Sequence, residues 1–143
     1  MAAALAEARA AASRGEVPIG AVVVHEGEIV GRGGNSPRAD HDPTAHAEIV
    51  AIRRAARALG NARLTDCDLY VTLEPCAMCA GAISHARIRR LYFGAEDEKG
   101  GGVLHGARVF AHSTCHHAPE VYPGISEAEV AEMIKDFFRD RRG

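Results

Sequence analysis

Apolar residues in the opening stretch recur at helical spacing. Leu5, Ala8 and Ala12 share one face of a segment rich in alanine, the best helix former, and Gly15 stops it, so the pattern predicts a helix over 2–14. The period then shortens: IGAVVV (19–24) and EIV (28–30) are β-rich runs around the turn dipeptide Glu26-Gly27, which predicts a hairpin. Gly31, Gly33, Gly34, Asn35 and Pro37 read as an irregular loop beyond it. Helical spacing returns with Ile49, Ile52, Ala56 and Leu59. Asp42-Pro43 supplies a cap and a first-turn proline and Gly60-Asn61 the stop, which puts His46 and Glu48 in the first turns.

Residues 69–73 form a short apolar run that predicts a buried strand. Glu74-Pro75 opens a second helix in the same manner, with Cys76 and Cys79 one turn apart so that both sulfurs face one point. A strand over 90–93, a glycine-rich charged loop over 94–102 and a fifth strand over 120–122 follow. Ser126 with Glu129 makes a capping box before a last helix carrying Val130, Met133, Ile134, Phe137 and Phe138. Helices alternating with strands imply an α/β layered domain, one sheet with helices on both faces.

Composition narrows the class. A chain of 143 residues buries one substantial core, so residues 1–143 read as a single domain. The longest apolar stretch, 19–24, is far shorter than the roughly 20 residues a membrane helix needs, and no basic-then-apolar leader precedes it; the expected location is cytoplasmic, with no membrane partner. A net charge of −2 does not announce nucleic-acid binding. Basic residues do gather locally, at Arg87, Arg89 and Arg90, at Arg53, Arg54, Arg57 and Arg63, and at Lys135, Arg139, Arg141 and Arg142. Each group also fits a solvated helix face or strand end.

The chemistry lies in HxE (His46, Glu48) and PCxxC (Pro75, Cys76, Cys79). Two cysteines in a CxxC with a distant HxE favour metal over disulfides. One imidazole and two thiolates make three zinc ligands, and hydrolytic zinc sites supply three and leave the fourth position to water, whereas structural sites close all four. Glu48, two residues past His46, points about 200° away around a helix axis. It is a poor fourth ligand but well placed to move protons, as hydrolytic deamination requires. Helix N-termini aimed at the metal favour thiolate over thiol. The combination matches the zinc deaminase signature.

Beyond the motif, VPIGAVVV, HDPTAHAEIVAIR, LYVTLEPCAMCAGAI, ARI..LYFGA and DFFRDRR resemble the bacterial tRNA-specific adenosine deaminases in order and spacing over nearly the whole chain. The resemblance implies the three-layer αβα cytidine-deaminase-like fold with one mixed five-stranded sheet, and one Zn2+ per chain on His46, Cys76 and Cys79. It makes Glu48 the proton shuttle, puts Asn35 on the target nucleoside and Ala47 and Pro75 beside the base, and places Asp97 next to the RNA. It further implies a homodimer acting on a tRNA anticodon stem-loop and converting the wobble adenosine to inosine. Of the terminal aromatics Phe137 and Phe138, one is expected to pack inward and the other to lie near the RNA, and Phe138 is taken as the RNA contact. The segment 100–123 departs from the family pattern.

Two rivals use the same residues. A deaminase of a free base or nucleoside, such as guanine or cytosine, would share the zinc chemistry, and a non-catalytic zinc-stabilised nucleic-acid-binding module would need neither Glu48 nor an open position. His105, His112, Cys115, His116 and His117 fit no regular zinc spacing and read as loop residues. Cys67 reads as a small buried hydrophobe.

Overall fold

A computed structural model describes residues 1–142; Gly143 and the side chain of Arg142, counted above with the C-terminal basic group, lie outside the described residues. The elements run α1 (Ala2–Ser13), β1 (Gly20–His25), β2 (Glu28–Gly34), α2 (Ala47–Leu59), β3 (Cys67–Leu73), α3 (Ala77–Ala86), β4 (Arg90–Ala95), β5 (Glu120–Tyr122) and α4 (Glu127–Arg142), with a short 3-10 turn, Val109–Ala111, before β5. The sheet order is β2-β1-β3-β4-β5. β1 is antiparallel to both neighbours, while β3, β4 and β5 are parallel, so the sheet is mixed. Glu26 and Gly27 join β1 to β2 with positive φ at both positions (50° and 79°), the two-residue turn whose twist suits a hairpin.

Alternation along the strands sends side chains to two cores. Val23, Leu69, Val71, Leu91 and Phe93 pack with Ala51 and Ala55 of α2 and Ala80 and Ile83 of α3. On the opposite face Leu5 of α1 and Val130 of α4 close over Ala95 and Leu73. The result is the αβα sandwich that the alternation of elements implied.

Several boundaries differ from the sequence reading for physical reasons. The glycines at 31, 33 and 34 belong to strand β2, not to a loop. They are strand glycines because helices lie directly on them: a Cβ on Gly31 would sit 2.7 Å from the Ala55 nitrogen, and one on Gly33 2.8 Å from the Ala47 carbonyl. Gly34 and Gly20 do the same for α1 on the other face. The helices answer with fully buried alanines, Ala47, Ala51 and Ala55 on α2 and Ala4, Ala8 and Ala11 on α1, so small residues meet small residues.

Helix α2 starts at Ala47, not at Pro43. The Asp42 carboxylate accepts from the Thr44 N–H (2.9 Å) and hydroxyl (2.7 Å), which spends its capping chemistry on an earlier turn. Helix α3 likewise starts at Ala77, because the Glu74 side chain is engaged elsewhere. β4 continues through Gly94 to Ala95, where Gly94 clears the Val130 side chain. Ser126 sits at φ 59°, outside the extended region a capping residue adopts, so the expected capping box does not form; Glu127 and Glu129 still place acidic charge in the first turn of α4.

Register also stacks Tyr70, Tyr92 and Tyr122 across β3, β4 and β5 on the face carrying α1 and α4. Ring centroids are 4.5 and 5.0 Å apart, with interplanar angles of 6° and 19°.

Candidate metal centre

His46 and Cys76 are the N-cap residues of α2 and α3, both in extended backbone (φ −71°, ψ 154° and φ −71°, ψ 174°), and Cys79 lies in the first turn of α3. The sequence reading placed His46 inside its helix. At the cap its ring instead projects past the helix end toward the neighbouring one. His46 Nδ1 lies 3.6 Å from Cys76 Sγ and 3.5 Å from Cys79 Sγ, and the three donors fall within 4.8 Å of one another. Zinc bonds of about 2.0–2.1 Å to nitrogen and 2.3 Å to sulfur, at the tetrahedral angle, separate those two ligand atoms by about 3.6 Å. Both nitrogen–sulfur edges of the triangle therefore have the length of a zinc tetrahedron's edge, and among the described residues it is the one group of three or more such donors.

The electrostatics suit a cation. A hydrogen bond from Cys79, aided by its backbone amide and by His46, lowers the Cys76 thiol to about 5, while the proton held toward Cys76, burial and the charge of Glu48 push the Cys79 thiol up. A cation bound between the two sulfurs would favour the thiolate form of both. Glu48 is buried (4% exposed) and does not join the donor triangle. Burial and the neighbouring Cys76 charge push its carboxyl up to about 7, against the opposing pull of its own backbone amide, His46 and Cys79. A carboxyl at that value both takes and gives a proton near neutrality.

Of the other expected site residues, Asn35, Ala47 and Pro75 lie beside the donors along the chain or through a hydrogen bond, whereas Asp97 and Phe138 line a separate cleft. Asn35 is buried (8% exposed), and its Oδ1 accepts from the Ala47 N–H at 3.2 Å, which ties the end of β2 to the start of α2. Ala47 itself is fully buried. The Pro75 carbonyl accepts from the Gly102 N–H at 2.8 Å, using one of its two lone pairs. Asp97 caps its own turn, its Oδ1 accepting from the N–H groups of Lys99 (3.1 Å) and Gly100 (2.9 Å). Asp97 and Phe138, the latter 43% exposed, line one cleft of about 620 Å³ with Ile19, Leu73, Ile134 and Lys135. Phe137 meets Phe138 edge-on at 5.4 Å and is itself half-buried.

Glu74 was missed. Read from sequence as a helix opener, it is the buried knot of the following loop. Its Oε1 accepts from Asp97 N–H (3.0 Å) and His105 Nδ1 (2.8 Å), and its Oε2 from the N–H groups of Val103, Leu104 and His105 (3.1, 2.9 and 3.1 Å). Burial alone would raise its pKa, but these donors outweigh it and hold the carboxyl below its ordinary value; the same bond raises His105. Gly101 passes so close to Glu74 that a side chain there would collide with the carboxylate. The run GGG at 100–102 was the available signal, since adjacent glycines mark a backbone pressed against something.

The remaining histidines do not assemble a second site: His112 donates to the Ala107 carbonyl (2.6 Å) and His117 to that of Ile88 (2.7 Å). Cys67 is buried, as expected, with its thiol pushed up by burial. Of the basic groups, Arg89 and Arg90 pair with Asp68 and Glu120, Arg53 with Asp42 and Arg139 with Asp136, so much of that charge is already neutralised.

Comparison with known proteins follows the same line. Residues 1–142 match the MafB19-like deaminase family. The chain is 60% identical over 139 residues to the tRNA-specific adenosine deaminase of Agrobacterium fabrum, covering 97% of this chain and 91% of that one. A structure solved in a study of A-to-I editing by tRNA:A34 deaminases at the wobble position of transfer RNA superposes with a TM-score of 0.92 at 61% identity, covering 93% of this chain and 96% of the other. The guanine deaminase of Bacillus subtilis superposes with a TM-score of 0.63 at 44% identity, covering 65% of this chain and 60% of the other.

Proposed function

This chain belongs to the MafB19-like deaminases and, within them, to the tRNA-specific adenosine deaminases, and from that membership we infer that it hydrolyses adenosine to inosine at the wobble position of a tRNA anticodon loop, releasing ammonia. The observation that carries the reading is the meeting of His46, Cys76 and Cys79 in one zinc-sized triangle beside the buried acid Glu48.

His46, Cys76 and Cys79 would hold one Zn2+, which when bound lowers the pKa of a water toward neutrality. The reaction adds water across C6 of adenine and expels the amino group. Glu48 removes a proton from the attacking water as its oxygen bonds to C6, and delivers that proton to ring N1. A second transfer through Glu48, from the new C6 hydroxyl to the amino nitrogen, lets the C6–N6 bond break and ammonia leave. A single carboxyl serves both directions because it is deprotonated before attack and protonated after it. Asn35 and Ala47 at the start of α2 and the Pro75 carbonyl surround the base, while Asp97 and the exposed ring of Phe138 meet the RNA in the adjoining cleft. RNA bases splayed out of a loop are read by such stacking and edge contacts, and the target enters the pocket unstacked. The family resemblance further supports a homodimer working in the cytoplasm; among the described residues no helix is long and apolar enough to cross a membrane.

The guanine deaminase likeness makes a free base the rival substrate, although that superposition spans less of the chain than the tRNA deaminase one. An assay of an adenosine-bearing anticodon stem-loop, free guanine, free cytosine and adenosine, with mass detection of product, separates them. Inosine in the stem-loop is the expected result. Turnover of guanine or cytosine with none on RNA rejects it.

A further inference from the structure

Three arginines line one cleft where the end of α1, the loop after β2 and the end of α4 come together. Arg14, Arg38 and Arg141 line an open cleft of about 510 Å³ with Gly15, Glu16 and Ala39. The sequence gives no hint of this, since the three arginines stand far apart and only one belongs to a basic run. Among the described residues none of the three has a carboxylate partner within 4.0 Å, whereas Arg9, Arg32, Arg53, Arg89, Arg90 and Arg139 are all ion-paired. Glu16, which also lines the cleft, makes no ion pair with them within 4.0 Å. It is buried (3% exposed) with its two oxygens turned into the backbone amides of Arg38 (3.4 Å) and Ala39 (2.9 Å), and Asp40 on the same loop accepts from Ser36 (2.9 Å).

Two of the guanidinium groups have contacts that involve no carboxylate, and the third lies over a strand glycine. Arg141 lies over the Phe137 ring, 4.5 Å from its centroid, Arg38 donates to the Gly15 carbonyl at 3.4 Å, and Arg14 reaches over Gly34, where a Cβ would lie 3.0 Å from its Nη2. Like charges gathered at one rim repel, and an anion between them removes that cost. The planar fork of arginine matches phosphate oxygens in pairs. Position completes the argument: Gly34 precedes and Arg38 closely follows Asn35, the residue assigned to the target nucleoside.

We propose that Arg14, Arg38 and Arg141 form a phosphodiester-binding cleft that grips the RNA backbone beside the extruded adenosine, an assignment that rests on the RNA-deaminase reading above. It gives a chain of net charge −2 the local positive surface that RNA binding needs.

The test is binding and turnover of the anticodon stem-loop across a salt titration, for the wild type, the double variant Arg14→Gln, Arg38→Gln, the single variant Arg141→Gln, and the charge-keeping Arg14→Lys, Arg38→Lys. The double glutamine variant is expected to bind roughly tenfold more weakly near physiological salt, with the loss in Kd and KM rather than kcat. Its slope of log affinity against log salt should fall by roughly 0.7 for each phosphate released from contact with a single strand. The lysine pair should restore most of the slope, and melting curves matching the wild type exclude a folding defect. A wild type that deaminates the stem-loop beside glutamine variants with unchanged Kd and salt slope overturns the cleft alone. A wild type that neither binds nor deaminates RNA overturns the parent reading and removes this ligand with it.

Discussion

At the scale of single residues, Glu48 carries the heaviest functional load from a buried position beside the donors. Its carboxyl lies outside the donor triangle and near neutrality in pKa, so removing it should spare the metal and stop the proton traffic. Glu48→Ala is expected to keep one zinc per chain by metal analysis while single-turnover inosine formation falls by roughly 10³-fold or more. Glu74 works differently, as a structural acid. Its pKa is depressed, so its contribution is present above the ordinary carboxylate value of 4.5 and is lost as pH falls through its lower folded value. His105 is raised, so its share is complete below 6.5 and fades as pH rises through its higher folded value. Amide exchange across 97–105, corrected for intrinsic rates, should therefore be slowest between about pH 4.5 and 6.5 and quicken on both sides; a flat profile would remove the pair from that role. The metal ligands were legible in sequence because HxE and PCxxC are each local. Glu74 was not, because every donor it holds lies 23 to 31 positions further on.

At the scale of elements, the sequence fell short where local chemistry had a distant competitor. Asp42 and Glu74 both carry cap-like signals, but one spends its oxygens on Thr44 and the other on the 97–105 loop. Each helix therefore begins later than expected, and the ligands become caps. The strand glycines misled for a related reason: composition marks them as turn formers, while their use here is thinness, which only the helix lying on them explains. Gly31→Ala should therefore act as an overpacking substitution. We expect a loss of about 2 kcal/mol or more, seen as a lower denaturation midpoint at unchanged m-value, and a neutral result would show that α2 is free to shift away from β2.

At the scale of the whole molecule, the αβα layering followed from the alternation of helical and strand periods, since each element has one apolar face to cover. The sheet order and the arginine cleft did not, because both depend on which distant segments become neighbours. The metal triangle also ties the N-termini of α2 and α3 together across the core. Stripping the metal with a chelator should then lower the melting temperature by roughly 10 °C as well as abolish turnover, and zinc should restore both. The tyrosine ladder has a practical consequence. Its three rings are all the tyrosines the chain has, and there is no tryptophan, so near-ultraviolet dichroism and intrinsic emission come chiefly from one sheet margin. Detachment of β5 can therefore be followed by light alone, in unlabelled protein, while zinc or RNA is titrated at the far end of the same strands.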